Sequence, residues 1–145
     1  MQDPSRAQSQ AIYQFQFLRQ QQEMLENQLN IINVSLQNLM TTKTTLENLN
    51  DVKDGQEILI PVGGLINLKG TIGDTKKVLL YISQDVVVEK NIDDAINFIN
   101  KLIEQHREQL NYTSNQLKQT ESALQNLAMA MQQASMGRGP PVPPK

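Results

Sequence analysis

Cysteine and tryptophan are both missing from the 145 residues, and aromatics make up only 4%. Without Cys there is no disulfide, no thiolate zinc site and no cysteine nucleophile. Large aromatics dominate most compact cores, so buried surface here has to come from Leu, Ile, Val and Met. A narrow helix–helix seam suits that supply better than a thick globular core. A basic stripe is missing too: the net charge is −2 and the one adjacent lysine pair is Lys76-Lys77. Duplex binding needs such a stripe, so no nucleic-acid partner is expected. No apolar run approaches the ~18 residues of a spanning helix, and Met1-Gln2-Asp3-Pro4-Ser5-Arg6 has no apolar signal-peptide core. A cytoplasmic location with no membrane partner is the expectation.

Glycine and proline are absent from Ser5 to Leu49 and again from Asn91 to Ala134. What fills these stretches is periodic. In the first, Phe15, Leu29 and Leu36 fall at heptad position a, and Leu18, Leu25, Ile32, Leu39 and Leu46 at d, with Gln22 and Lys43 as polar interruptions. In the second, a carries Ile96, Ile103, Leu110, Leu117, Leu124 and Met131, while d carries Ile92, Ile99, His106, Thr113, Thr120 and Leu127. A 3.5-residue apolar repeat held over several heptads specifies a coiled coil. Asn50-Asp51-Val52-Lys53-Asp54-Gly55 stops the first helix. Asn91 can cap the second, with Asp93 and Asp94 in its first turn, where the helix dipole favours anions.

Between the helices the pattern changes. Glu57–Val62, Leu65–Lys69, Val78–Ile82 and Val86–Lys90 are short runs rich in β-branched residues, separated by Gly63-Gly64, Gly70, Gly73-Asp74 and Ser83-Gln84-Asp85. They read as about four strands in two hairpins, with Pro61 restricted to an edge or a strand end. The expected organisation is an N-terminal coiled-coil helix over 5–50, a β-hairpin assembly segment over 51–90, a C-terminal coiled-coil helix over 91–134 and a flexible Pro-rich tail over 135–145, non-helical from Met136 onward. The fold class is α+β: a long antiparallel coiled-coil hairpin of two helices with two β-hairpins inserted.

Two expectations follow. Isolated hairpins are marginal in water and their edges invite pairing. The strands should therefore join those of other chains in an oligomeric β-barrel, through Ile58, Ile60, Val62, Leu65, Ile66 and Leu68 of the first hairpin and Val78, Leu80, Ile82, Val86 and Val88 of the second. Near the free helix ends, one seam cannot bury Ile12, Tyr13, Phe15 and Phe17 together with Leu124, Leu127, Met129, Met131 and Met136. Flexible Met and exposed aromatics suit a surface that accepts many apolar partners.

The order Ile60-Pro61-Val62-Gly63-Gly64, then Asp74 to Ile82, then Val86-Val87-Val88-Glu89-Lys90, set between two long helices, resembles the alpha subunits of archaeal prefoldin over nearly the whole chain. Two hairpins match alpha rather than beta. Relatives commonly carry glycines in the last turn, where this chain has Ser83-Gln84-Asp85. The resemblance implies an ATP-independent co-chaperone, a hexamer of two alpha with four prefoldin beta subunits built on a double β-barrel. Coiled-coil tips would hold non-native client proteins and pass them to a cytosolic group II chaperonin. The competing reading is a structural or tethering coiled coil that holds no client.

No catalytic residue, metal site or cofactor is expected. His106 is the single histidine and occupies a seam position. Gly63-Gly64 and Gly70 to Gly73 lack the Lys-Ser/Thr end of a phosphate loop. Asp93-Asp94 and Asp51/Asp54 are carboxylate pairs with no acid–base partner, so no catalytic constellation can be assembled.

Overall fold

The computed structural model describes residues 4–137. Helix α1 spans Pro4–Asn48 and runs into a short 3-10 turn at Leu49–Asp51; four strands follow, β1 (Glu57–Pro61), β2 (Asn67–Thr71), β3 (Lys77–Ser83) and β4 (Val86–Asn91), and α2 spans Ile92–Met136. The chain divides into two compact units: Val34–Arg107, and the described parts of Met1–Asn33 with Glu108–Lys145.

In Val34–Arg107, the last turns of α1 lie against the first turns of α2. Leu46, Ile92, Ala95, Ile99 and Ile103 are the buried cluster, flanked by half-buried Leu36, Leu39, Leu49, Ile96, Phe98 and Leu102. Val78 of β3 packs on the same cluster, so the second hairpin is tied to the helices by its first strand. Asn91 closes β4 and caps α2 in one residue: the Asp94 backbone N–H donates to its Oδ1 at 2.8 Å, satisfying a first-turn donor that has no partner within the helix. The Thr-rich end of α1 bonds inward on itself. The hydroxyls of Thr42, Thr44 and Thr45 donate to the carbonyls four residues back.

The strands form two separate two-stranded antiparallel sheets, β1–β2 and β3–β4; the chain by itself closes no barrel. In the first, Ile58 faces Gly70 and Ile60 faces Leu68. Gly70 is therefore a strand residue rather than the separator expected of it. A Cβ there would come within 2.8 Å of Ile60 Cδ1, so the Ile60 side chain uses the space a larger residue would take. Leu65 and Ile66 lie ahead of β2, in the connection closed by the Val62 N–H to Ile66 carbonyl bond at 2.7 Å. Gly63 turns the chain there with φ +86, a conformation strained for any residue with a Cβ. In the second hairpin, Ser83 pairs with Val86 around Gln84-Asp85, and the register slips between Tyr81 and Ser83. No non-Gly residue in the described chain has positive φ. The connection is therefore not of the primed type that matches strand twist, and the bulge at Ile82 absorbs the mismatch. That is how a glycine-free turn closes here.

In the unit formed by 4–33 and 108–137, the seam again runs along both helices. Leu25 and Ile32 of α1 and Thr113, Thr120 and Leu124 of α2 are buried. Phe15, Leu18, Gln22, Leu29, Leu110, Leu117, Leu127 and Met131 are half-buried. The buried Thr120 hydroxyl donates to the Gln116 carbonyl at 3.0 Å, which lets a polar residue occupy position d without an unsatisfied group. Helix α2 continues through Met136 and ends at Gly137, whose N–H bonds the Gln133 carbonyl. This corrects the expectation of a non-helical chain from Met136 onward at Met136 itself; the rest of the Pro-rich stretch, 138–145, lies outside the described residues.

Candidate functional site

Where α1 begins and α2 ends, the seam changes composition. Besides Leu127 and Met131, the side chains lining the space between the helices here are small: Ala7 and Ala11 on α1 and Ala130 and Ala134 on α2. Small side chains leave the space between the helices unfilled. The result is a groove of about 480 Å³ lined by these alanines with Leu127, Met131, Gln8 and Ser135. No charged residue lines it. A water-exposed groove of this kind gains free energy by accepting apolar side chains, at roughly 25 cal/mol per Å² of apolar surface removed from water.

The tip residues expected from the sequence fall into two groups, only one of which lines this groove. Tyr13 (73% exposed), Phe17 (64%) and Met136 (74%) face solvent, as do Ile12 and Met129. Leu127 and Met131 are half-buried and form the groove wall. Phe15 is half-buried on the seam. Leu124, at 8% exposed, is seam core rather than open surface. The alanines themselves were missed by sequence reasoning. The signal for them was present, since Ala11 and Ala134 occupy d positions where the rest of each seam carries larger residues.

The hairpins present a second apolar surface. Ile58, Val78, Leu80 and Val88 of the expected assembly set are half-buried. Ile60, Val62, Leu65, Ile66, Leu68, Ile82 and Val86 are exposed. The opposite face was not anticipated: Leu59, Leu79, Tyr81 and Val87 are all exposed as well. Tyr81 faces Val87 across the ladder. A strand apolar on both faces belongs in a sheet covered on both sides, and the unbroken runs Ile58-Leu59-Ile60 and Val78–Ile82 carried that signal. Glu57–Lys69 at 3.4 Å and Lys77–Glu89 at 3.8 Å are exposed ion pairs, of a type that contributes little stability.

His106 is half-buried on the α2 seam and its Nδ1 lies 2.8 Å from the Leu102 carbonyl. A carbonyl can only accept, so Nδ1 carries the proton and donates. Among the described residues, no group of three or more His, Asp or Glu side chains is placed to hold a metal ion. No described helix is long and apolar enough to cross a membrane.

Comparison with known proteins matches this architecture to one family. The model of the prefoldin subunit family matches residues 18–136. The prefoldin subunit alpha of Pyrococcus horikoshii is 30% identical over 122 residues, covering 83% of this chain and 82% of the relative. That of Methanococcus aeolicus is 37% identical over 95 residues, covering 66% of this chain and 64% of the relative. Among solved structures, a filamentous PFD from Methanocaldococcus jannaschii superposes with a TM-score of 0.69 at 17% identity, over 79% of this chain and 95% of that one. The prefoldin beta subunit from Thermococcus strain KS-1 superposes at 0.61 and 19% identity, over 97% of this chain and all of that one.

Proposed function

This chain belongs to the prefoldin family of chaperone subunits, and we propose that it acts as an alpha-type subunit that holds non-native proteins at the ends of its helices and delivers them to a group II chaperonin. The observation that carries this reading is the uncharged alanine-walled groove between α1 and α2, on the same helix ends that expose Ile12, Tyr13, Phe17, Met129 and Met136. Non-native chains differ from native ones by exposed apolar side chains, and a flexible, uncharged apolar surface binds them without selecting sequence. Each contact is weak. Several chains carrying such ends in one assembly add their contacts by multivalency, and release needs no nucleotide because no step of the grip is chemical.

The hairpins supply the assembly. Their apolar residues lie open on both faces, which favours a sheet completed by other subunits over a free one. The proposed complex contains two copies of this chain with four beta subunits, their strands joined in a β-barrel body, and works in the cytoplasm. Neither nucleic acid nor membrane is a partner in this proposal.

The test is light scattering of a chemically denatured client diluted into the assembled complex. The complex is expected to slow aggregation without ATP. Replacing Ile12, Tyr13, Phe17, Met129 and Met136 by Gln is expected to abolish most of that effect while the complex stays assembled. An assembled wild-type complex that leaves aggregation unchanged would contradict client holding and favour a tethering coiled coil.

A further inference from the structure

Helix α1 carries a second apolar repeat that the seam does not use. Phe17, Met24 and Ile31 recur every seventh residue and are 64%, 61% and 68% exposed. With the seam at Phe15, Leu18, Leu25 and Ile32, they all occupy heptad position c, on the side of α1 turned away from the seam. Tyr13 continues the stripe toward the helix start at the adjoining f position, 73% exposed. The corresponding outward positions of α2 between Tyr112 and Met129 are Asn115, Gln119, Ser122 and Asn126, so α2 has no matching stripe.

We propose that this stripe is a docking track for amphipathic helical segments of non-native client chains, an extension of the client-holding reading on which it rests. The spacing selects the helix. A seven-residue repeat presents an apolar side chain about every 10.5 Å along the axis, and a helix with its own heptad repeat presents knobs at the same interval. An extended strand presents same-face side chains about every 6.7 Å and, matched at Phe17, is out of step at Met24. The flanks select a client over a fixed subunit. Permanent coiled-coil partners are specified by charged residues beside the seam. Here the flanking positions are Gln14, Gln21 and Gln28 on one side and Gln16, Glu23 and Asn30 on the other, with one charge among them. Amide flanks hydrogen-bond to any partner and reject none by charge, which suits a site that must accept many sequences. From Tyr13 to Ile31 the stripe is about 27 Å long, room for about five helical turns.

The experiment uses the assembled complex and two fluorescent 20-residue peptides of the same Leu, Ala and Gln composition. One has Leu in heptad spacing, the other has Leu at alternate residues. A photo-crosslinking amino acid is placed at position 24, 31 or, as a reference, 136. The heptad peptide is expected to crosslink at 24 and 31 and to bind more tightly than the alternating one. Met24→Gln with Ile31→Gln is expected to weaken the heptad peptide about tenfold, as two large apolar side chains cease to desolvate, and to leave the alternating peptide unchanged. Both residues are exposed, and unchanged complex mass and helicity confirm that the variant is folded. Crosslinking at 136 alone, or equal affinity for the two peptides, would overturn the stripe while leaving client holding intact. Crosslinking from 24 or 31 to another subunit in peptide-free complex would also overturn it. Failure of every position to crosslink either peptide, in a complex that also fails to slow aggregation, would remove the parent reading as well.

Discussion

The helices and the hairpins treat their apolar residues in opposite ways. Along α1 and α2 the a and d residues are buried or half-buried at every heptad from Phe15 to Leu46 and from Ile92 to Met131. The polar intruders Gln22, Lys43, His106, Thr113 and Thr120 are drawn in with them. In the hairpins no strand residue is fully buried, and Leu59, Leu79 and Tyr81 stand open to solvent. The difference follows from geometry. Two helices can cover one another's stripe within one chain, whereas a two-stranded sheet has two faces and two edges and nothing of its own to cover them. The helical seam is therefore covered within the single chain, whereas the hairpins are left uncovered by it.

That contrast can be broken at several points. The largest effect is expected from Leu59→Lys, Leu79→Lys and Tyr81→Lys together. Coiled-coil helicity should persist by circular dichroism, while co-expression with a beta partner yields no complex by native mass spectrometry; a full-sized complex would mean that the hairpins are not the assembly surface. Next is Ile99→Ala, which removes a side chain 6% exposed from the cluster joining α1, α2 and β3. Urea unfolding should show a loss of about 2–5 kcal/mol; a loss far below that range would mean the helical seam does not carry stability on its own. Asn91→Ala deletes the cap to the Asp94 N–H and is expected to cost about 1 kcal/mol, seen as a lower urea midpoint with unchanged slope. The smallest stability effect is expected from Tyr13→Gln with Met136→Gln, within about 0.5 kcal/mol for each exposed site. The same variant should lose part of its ability to slow client aggregation, so that stability and holding separate.

Much of this architecture is legible in the sequence. The seam was readable because a 3.5-residue repeat of Leu and Ile has one structural solution, and Asn91 was readable as a cap because it directly precedes Ile92 and the two aspartates. The hairpin details were less so. Leu65-Ile66 has strand composition, but the left-handed turn at Gly63 spends those residues on the connection, and β2 starts at Asn67. Gly70 looks like a break, yet it pairs with Ile58 because Ile60 reaches over it. Of the site, the exposed Tyr13, Phe17 and Met136 were identified from being off the seam. Leu124, expected with them, is 8% exposed and lies in the seam. The alanine groove escaped notice because it is a deficit of volume, and periodicity marks which residues face inward without measuring how well they fill the space.

If the helices are self-sufficient and the hairpins are shared between chains, the mass of the particle formed when this chain is co-expressed with a prefoldin beta subunit will show it. Native mass spectrometry is expected to return two copies of this chain with four of the partner, and the chain purified alone should aggregate or form irregular oligomers. A stable, soluble monomer that ignores the beta subunit would contradict the account.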